Sequence, residues 1–221
     1  MSLSAPLVVP ILAIPFGVVP IPEALPHNPE LVELFTARRQ ADSARLQPQP
    51  RVYQGTEDLL TWTEEPVRLL AEGMFKGLYA IVDAVNNFTE DQLHSIRLEA
   101  RSRFTVIERD GHVPMTQHTL TAWCAIYCVA APLPAPDRQD SGALRIYETR
   151  LGTSFADATT AVMRLPFMTG HYGWRPVPGQ MAVFPGSLAH EIAMVRSPGQ
   201  LVLVTMRARF LGPRQEGLSR W

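Results

Sequence analysis

The sequence predicts an α+β domain in which N-terminal helices buttress a double-stranded β-helix, a jelly-roll barrel of the cupin-like kind. Apolar residues recur at helical spacing in residues 1–100 and alternate with a period of two from Arg101 onward. The alternating runs are separated by turn residues, and a turn built on Pro185 and Gly186 is followed by a histidine, His190, where another strand begins. Helices followed by strands are typical of this fold class.

The composition is that of one globular domain. The chain has 221 residues, of which 46% are hydrophobic and 19% are charged, enough to bury one substantial core. We expect one domain over residues 1–221, with an arm and supporting helices in 1–100 and the barrel in 101–211. The net charge of −1 provides no field that would attract nucleic acid or an anionic membrane. A small molecule is the expected partner, and a homodimer is left open.

Two cysteines, Cys124 and Cys128, stand four residues apart on a predicted strand. Residues at this spacing share a face of the strand but lie roughly 13 Å apart, which is too far for a disulfide. We expect free thiols that line the core or a pocket, in a protein of the reducing cytoplasm.

The N-terminal elements are an arm and two helices. The apolar run APLVVPILAIPFGVVPIP contains five prolines, which forbid a spanning helix, so an extended edge strand or arm packed on the barrel is expected. A first helix starts at Asn28 and Pro29 and runs to about Arg45. A second helix starts at Pro66, and its apolar stripe is suited to packing against a sheet: Val67, Leu70, Met74, Leu78, Ile81 and Val85.

Six strands are predicted from period-two patterns in the second half of the chain. They are SRFTVIER (102–109), TAWCAIYCVAA (121–131), GALRIYETR (142–150), MAVFPG (181–186), HEIAMV (190–195) and QLVLVTMRARF (200–210).

Three of these segments carry a resemblance to a known family. AIYCVAAP (125–132) is similar to a Gly-Val-Tyr-Tyr-Val type strand, and SGALRIYETR (141–150) to a Gly-Gly-Ala-Leu strand that ends in an acidic residue. GQMAVFPGSLAHEI (179–192) resembles a Gly-x-Leu-x-Phe-Pro turn followed by His-Glu-Val. The family is that of the bacterial and phage 2-oxoglutarate and Fe(II)-dependent oxygenases, within the prolyl-hydroxylase-like superfamily. The resemblance implies a jelly-roll that holds Fe(II) by a facial triad, with 2-oxoglutarate chelating the metal and O2 taking the last position.

The resemblance implies that His190 is the distal iron ligand. We expect it to be exposed at the start of a strand, so that its replacement would leave the fold intact. The usual His-x-Asp pair of proximal ligands is absent. If the chain is aligned with the prolyl hydroxylases by counting back from Tyr127, His112 corresponds to their first ligand and Pro114 to their carboxylate ligand. The bacterial and phage oxygenases have a His-x-His motif instead. If the chain is aligned with that motif, His118 corresponds to the second histidine and Thr116 to the first.

Three ligand sets follow from this ambiguity. His112, His118 and His190 could form an all-nitrogen triad, or two histidines could bind iron with water or chloride in the gap, as in the halogenases. Glu148, inward by strand parity, could supply the carboxylate. A degenerate site that binds no iron is the remaining interpretation.

The superfamily anchors the far carboxylate of 2-oxoglutarate with an arginine about ten residues after the distal histidine, where this chain has Gln200. A buried carboxylate needs a cationic or multiply hydrogen-bonded partner. Arg103 is the first choice, because strand parity aims it inward with Thr105, and Arg207 is the second. Tyr127 is a further candidate donor to the cosubstrate, and Gln200 could offer only a neutral one.

The expected function is that of an Fe(II), 2-oxoglutarate and O2-dependent oxygenase that oxidises an unactivated C–H bond of a small molecule. Hydroxylation, desaturation, cyclisation and halogenation in a biosynthetic step all fit this class. Trp123 and Trp174 are expected to line the substrate pocket, with His171 in a loop that covers it. The alternatives are a ligand-binding jelly-roll without iron and a three-histidine, cupin-type oxygenase that needs no 2-oxoglutarate.

Overall fold

A computed structural model describes residues 13–43, 51–89, 91, 95–134, 138–147, 163, 165–167 and 170–212. Its two α-helices are α1 (Asn28–Ser43) and α2 (Glu65–Ala84). Its strands are β1 (Gly17–Pro20), β2 (Val52–Gln54), β3 (Arg97–Glu108), β4 (Val113–Thr116), β5 (Trp123–Ala130), β6 (Leu144–Tyr147), β7 (His171–Trp174), β8 (Gln180–Pro185), β9 (His190–Ile192) and β10 (Gln200–Leu211).

The strands form two antiparallel sheets. The larger sheet has the order β1-β8-β5-β10-β3-β2, and the smaller has the order β4-β9-β6-β7. One apolar cluster joins the two sheets, because it contains Ile126 and Leu203 from the larger sheet together with Leu144 and Ile192 from the smaller. Two sheets packed face to face in this way make the predicted α+β jelly-roll, so the fold class is confirmed.

The helices cover the other face of the larger sheet. Tyr127 and Val129 of β5 pack there in a second cluster with Leu70, Met74 and Leu78 of α2. The predicted stripe of α2 is therefore a packing surface, as expected, over most of its length. It stops at the helix end, because α2 finishes at Ala84 and Val85 is 47% exposed.

Each of the six predicted strands has a counterpart, although residues 148–150 of the third lie outside the described part of the chain and the fifth ends at Ile192, before the predicted Val195. The arm is partly confirmed. Gly17–Pro20 forms an edge strand that pairs antiparallel with β8, whereas residues 1–12 lie outside the described part of the chain. The short strands β2, β4 and β7 were not predicted. No helix in the described ranges is long and apolar enough to cross a membrane.

Candidate metal centre

Three potential metal ligands converge at one end of the space between the sheets. The ligand atoms of His118, Cys124 and His190 all lie within 4.8 Å of one another. The two imidazole rings meet edge to face, with centroids 5.3 Å apart. Cys124 lies on β5 of the larger sheet and His190 begins β9 of the smaller, so both sheets contribute to this His-Cys-His group.

His190 is held in the orientation that a metal ligand needs. Its Nδ1 atom lies 2.8 Å from the carbonyl oxygen of Leu188. A carbonyl can only accept, so Nδ1 carries the hydrogen and Nε2 keeps a free lone pair. The ring also packs edge to face on Phe184, at 5.0 Å between centroids. His190 is 4% exposed, so the expectation that it is an exposed residue is wrong.

His118 is positioned by hydrogen bonds between its own loop, before β5, and the turn between β8 and β9. Its backbone N–H donates to the carbonyl of Gly186 at 2.9 Å, and the N–H of Gly186 donates to the carbonyl of Ala122 at 3.1 Å. A Cβ atom on Gly186 would lie 2.6 Å from the carbonyl oxygen of Thr121, so only glycine permits this contact. The β8–β9 turn thus fixes the loop that carries His118 against the strand that carries His190.

Both imidazoles are neutral near pH 7. Burial, followed by the charges of His190, Arg207 and Arg103, lowers the pKa of His118 from 6.5 to about 4. Burial also lowers the pKa of His190. The neutral ring is the form that binds metals, so protons do not compete for this pair at physiological pH.

Two arginines lie on the inner face of the larger sheet beside the group. Arg207 of β10 is the cross-strand partner of Cys124, and Arg103 of β3 is opposite Thr205. Arg207 forms an ion pair with Glu57. Within the described part of the chain, Arg103 makes no ion pair and no side-chain hydrogen bond, although it is partly buried and burial lowers its pKa. The charge of Glu57 acts on Arg103, but no described acceptor is hydrogen-bonded to its guanidinium, so Arg103 is a candidate binding group for a further anion.

The structure does not bring His112 into the group. His112 is exposed and precedes β4, whereas the residue opposite His190 across β4 and β9 is Thr116. His112 precedes Thr116 by four residues, which corresponds to roughly 13 Å along an extended strand. Glu148 lies outside the described residues.

Tyr127 and Trp123 face the helices, not the barrel interior, which corrects their predicted roles. The Tyr127 hydroxyl donates to Oδ1 of Asn28 at 2.9 Å, and Trp123 packs on the helix-side cluster. Successive residues of a strand point to opposite faces, so Cys124 points inward where its neighbour Trp123 does not. Gln200 is exposed at the start of β10, on the face opposite the inward-facing Leu201.

The other two predicted substrate contacts lie on β7. Trp174 is 8% exposed and belongs to the cluster between the sheets. His171 is exposed, with its ring centroid 5.8 Å from that of Tyr147. The ligand candidate that the sequence predictions missed is Cys124. It shares its strand face with Ile126 and Cys128 and follows His118 by six residues, which was the available signal.

The donor set fits Fe(II) in part. Two neutral imidazoles suit a divalent iron, and three protein donors on one side leave further positions for small molecules. None of the carboxylates in the described ranges joins the group. The third donor that the structure offers is the thiol of Cys124.

No protein-family model matches the chain, and no curated protein matches it by sequence. Solved structures do match. AviO1 from Streptomyces viridochromogenes Tue57 is 14% identical with a TM-score of 0.57, and the match covers 92% of each chain. A prolyl-4-hydroxylase from Pseudomonas putida is 13% identical with a TM-score of 0.55, over 90% of this chain and 94% of that one. HygX from Streptomyces hygroscopicus, with nickel and 2-oxoglutarate bound, is 13% identical with a TM-score of 0.51, over 91% of this chain and 83% of that one.

The chain has the double-stranded β-helix fold of the 2-oxoglutarate/Fe(II) oxygenases. At these identities the likeness concerns the fold, and at that level it confirms the resemblance found in the sequence. In this fold, His190 lies at the start of a strand in the smaller sheet.

Proposed function

We propose that the chain is an Fe(II)-dependent oxygenase that uses 2-oxoglutarate and O2 to oxidise an unactivated C–H bond of a small molecule. One observation carries the proposal: two neutral imidazoles, His118 and His190, converge beside Arg103, an inward-facing arginine that forms no ion pair with a described residue. A metal with open positions and a cation at its side is the arrangement that a chelating dicarboxylate requires.

The division of roles follows from the geometry. His118 and His190 would hold the metal, each through a ring nitrogen that carries no proton. Arg103 would receive the far carboxylate of 2-oxoglutarate, because Arg207 is already paired with Glu57. When bound, Fe(II) and 2-oxoglutarate supply the activation of O2 that oxidation of an unactivated carbon needs.

The surrounding side chains limit what can enter. Apart from Arg103 and Arg207, the side chains between the sheets near the group include Phe184, Ile126 and Leu203, which are apolar and each at most 3% exposed. Such walls keep water from the group and favour an apolar or amphipathic substrate. Trp174 is part of the same cluster and stays our candidate for a substrate contact.

The decisive experiment is an anaerobic titration of the metal-free protein, first with Fe(II) and then with 2-oxoglutarate. We expect a weak metal-to-ligand charge-transfer absorption that saturates at one equivalent, and succinate release after O2 is admitted. His118→Ala should abolish the absorption, and His112→Ala, which changes an exposed residue outside the group, should leave it unchanged. Consumption of O2 without succinate would identify an oxygenase that needs no 2-oxoglutarate, and failure to bind Fe(II) would identify an iron-free binding protein.

A further inference from the structure

We propose that the thiolate of Cys124 is the third protein ligand, so that the metal centre is a His2Cys site. This inference rests on the metal site of the proposed function and specifies its donor set. Of the residues in the described ranges, Cys124 is the one non-histidine donor in the group.

The separations suit shared coordination of one ion. Metal–nitrogen and metal–sulfur bonds of about 2.0 to 2.3 Å place neighbouring ligand atoms roughly 3 to 3.5 Å apart. The three donors already lie within 4.8 Å of one another, so they need to approach by about 1 to 2 Å to share one ion.

The position of Cys124 in the sheet keeps its sulfur in place. It lies on β5, an interior strand, where its backbone is paired with Phe184 on one side and Arg207 on the other. The residue is 0% exposed and points to the face that holds the two imidazoles. A donor fixed in this way loses little conformational entropy when it binds a metal.

The local charges distinguish Cys124 from Cys128. The cross-strand partner of Cys124 on β10 is the cationic Arg207, whereas that of Cys128 is the apolar Leu203. A bound metal would add a further positive charge beside Cys124, which favours the thiolate there. Both thiols are free, buried and on the same face of β5. Cys128 is therefore a matched control in the same strand, four residues from the proposed site.

Binding through sulfur has a defined proton balance. The S–H bond of Cys124 breaks, a sulfur–metal bond forms, and one proton is released to the buffer. Each imidazole would bind through a ring nitrogen that carries no hydrogen, so no N–H bond breaks. One thiolate in place of a carboxylate also makes the site softer and favours thiophilic metals such as zinc and cobalt.

The test uses Co(II) as a probe under anaerobic conditions, with metal-free protein. We expect a thiolate-to-cobalt charge-transfer band in the near ultraviolet and release of about one proton per cobalt ion bound. The chain has two cysteines, so Cys128→Ser leaves Cys124 as the one thiol, and the band should persist in that variant. Cys124→Ser should bind cobalt at least tenfold more weakly, without the band, through the remaining imidazoles.

The outcomes separate this inference from the proposal on which it rests. Cobalt bound to the Cys128→Ser protein without a charge-transfer band would overturn the ligand role of Cys124 and leave the histidine pair standing. Retention of the band in Cys124→Ser would likewise overturn it, because Cys128 would then be the source of the thiolate. If the unaltered protein binds no Co(II), the metal site itself is refuted and both proposals fall.

Discussion

The Nδ1 atom of His190 lies 2.8 Å from the carbonyl oxygen of Leu188, two residues earlier in the chain. This contact fixes the proton on Nδ1 and leaves Nε2 with a lone pair. It also makes the imidazole part of the packed interior, since the ring contacts Phe184 and is 4% exposed. The same side chain therefore serves the metal site and the fold.

Replacement of His190 by alanine should affect both roles. We expect His190→Ala to bind Fe(II) or Co(II) at least a hundredfold more weakly, because one of the two imidazole ligands is lost. We also expect the free energy of unfolding to fall by about 1 to 3 kcal/mol, because the Leu188 carbonyl loses its buried donor. Metal analysis and urea unfolding measure the two effects. His112→Ala is the control, and normal metal content in His190→Ala would contradict the site.

The low pKa of His118 predicts that the metal-free protein loses stability in acid. The unfolded chain takes up a proton at this histidine near pH 6.5, whereas the folded protein does so only near pH 4. The unfolded state thus binds more protons between these values, so the free energy of unfolding falls as the pH drops through this window and levels off below it. Because His118 is partly exposed, the loss should be about 1 to 3 kcal/mol.

A comparison with His118→Gln isolates this contribution from those of other groups. Glutamine does not titrate, so the unfolding free energy of the variant should depend less steeply on pH between 6.5 and 4. Urea unfolding at a series of pH values gives both curves. Parallel curves would show that His118 keeps an ordinary pKa in the folded protein.

The contact between Gly186 and Thr121 predicts a specific effect on metal affinity. In Gly186→Ala the new methyl group would meet the Thr121 carbonyl at 2.6 Å, so the His118 loop and the β8–β9 turn must separate. We expect the unfolding free energy to fall by about 1 to 3 kcal/mol and the metal affinity to fall at least tenfold. Gly173→Ala is the matched control, because nothing lies within 4 Å of its added atom. Equal metal affinity in the two variants would contradict the role of this contact.

The Tyr127 hydroxyl is predicted to serve the fold and not the cosubstrate. Its hydrogen bond joins β5 to Asn28, whose Nδ2 atom also donates to the carbonyl of Val129 at 2.8 Å. Tyr127→Phe should lower the unfolding free energy by about 0.5 to 2 kcal/mol, because the buried Asn28 loses a partner. The affinity for 2-oxoglutarate, measured by the charge-transfer absorption, should be unchanged. A weaker 2-oxoglutarate affinity in this variant would restore Tyr127 to the site.

The elements that the sequence predicts well are those with a strong local pattern. The β10 segment has an apolar run at 201–204 followed by alternation from Thr205 to Phe210, and the Pro185–Gly186 turn marks the start of β9. By contrast, β4 has only four residues and contains Pro114, and it exists because β9 pairs with it. Pairing with a distant strand is not visible in a local pattern.

The misplacement of Tyr127 and Trp123 has a related cause. Alternation along β5 places Tyr127 and Trp123 on one face of the strand and Cys124 and Cys128 on the other. The structure has the same two groups on opposite faces. Both faces of β5 are buried, one against the helices and one in the barrel, so hydrophobicity does not identify the inner face. For the same reason Cys124 was predicted as a buried thiol but not as a neighbour of the two histidines.

Arg103 is predicted to anchor the far carboxylate of 2-oxoglutarate. A dianion whose near end binds the metal leaves one carboxylate in a poorly solvated barrel, where a charge-assisted hydrogen bond contributes roughly 2 to 3 kcal/mol. Arg103→Ala should therefore weaken 2-oxoglutarate binding about thirty- to one-hundredfold, and change Fe(II) affinity far less. Anaerobic titration of the charge-transfer absorption measures both constants.

Two further variants identify the anchor by comparison. Gln200→Ala should leave 2-oxoglutarate affinity unchanged, because Gln200 is exposed on the outer face of β10. Arg207→Ala should have a smaller effect than Arg103→Ala, because Arg207 is already paired with Glu57. If Arg207→Ala proves the more damaging, the anchor lies on the last strand and Arg103 has another role. If none of the three changes alters the titration, another group binds the far carboxylate and Arg103 is not the anchor.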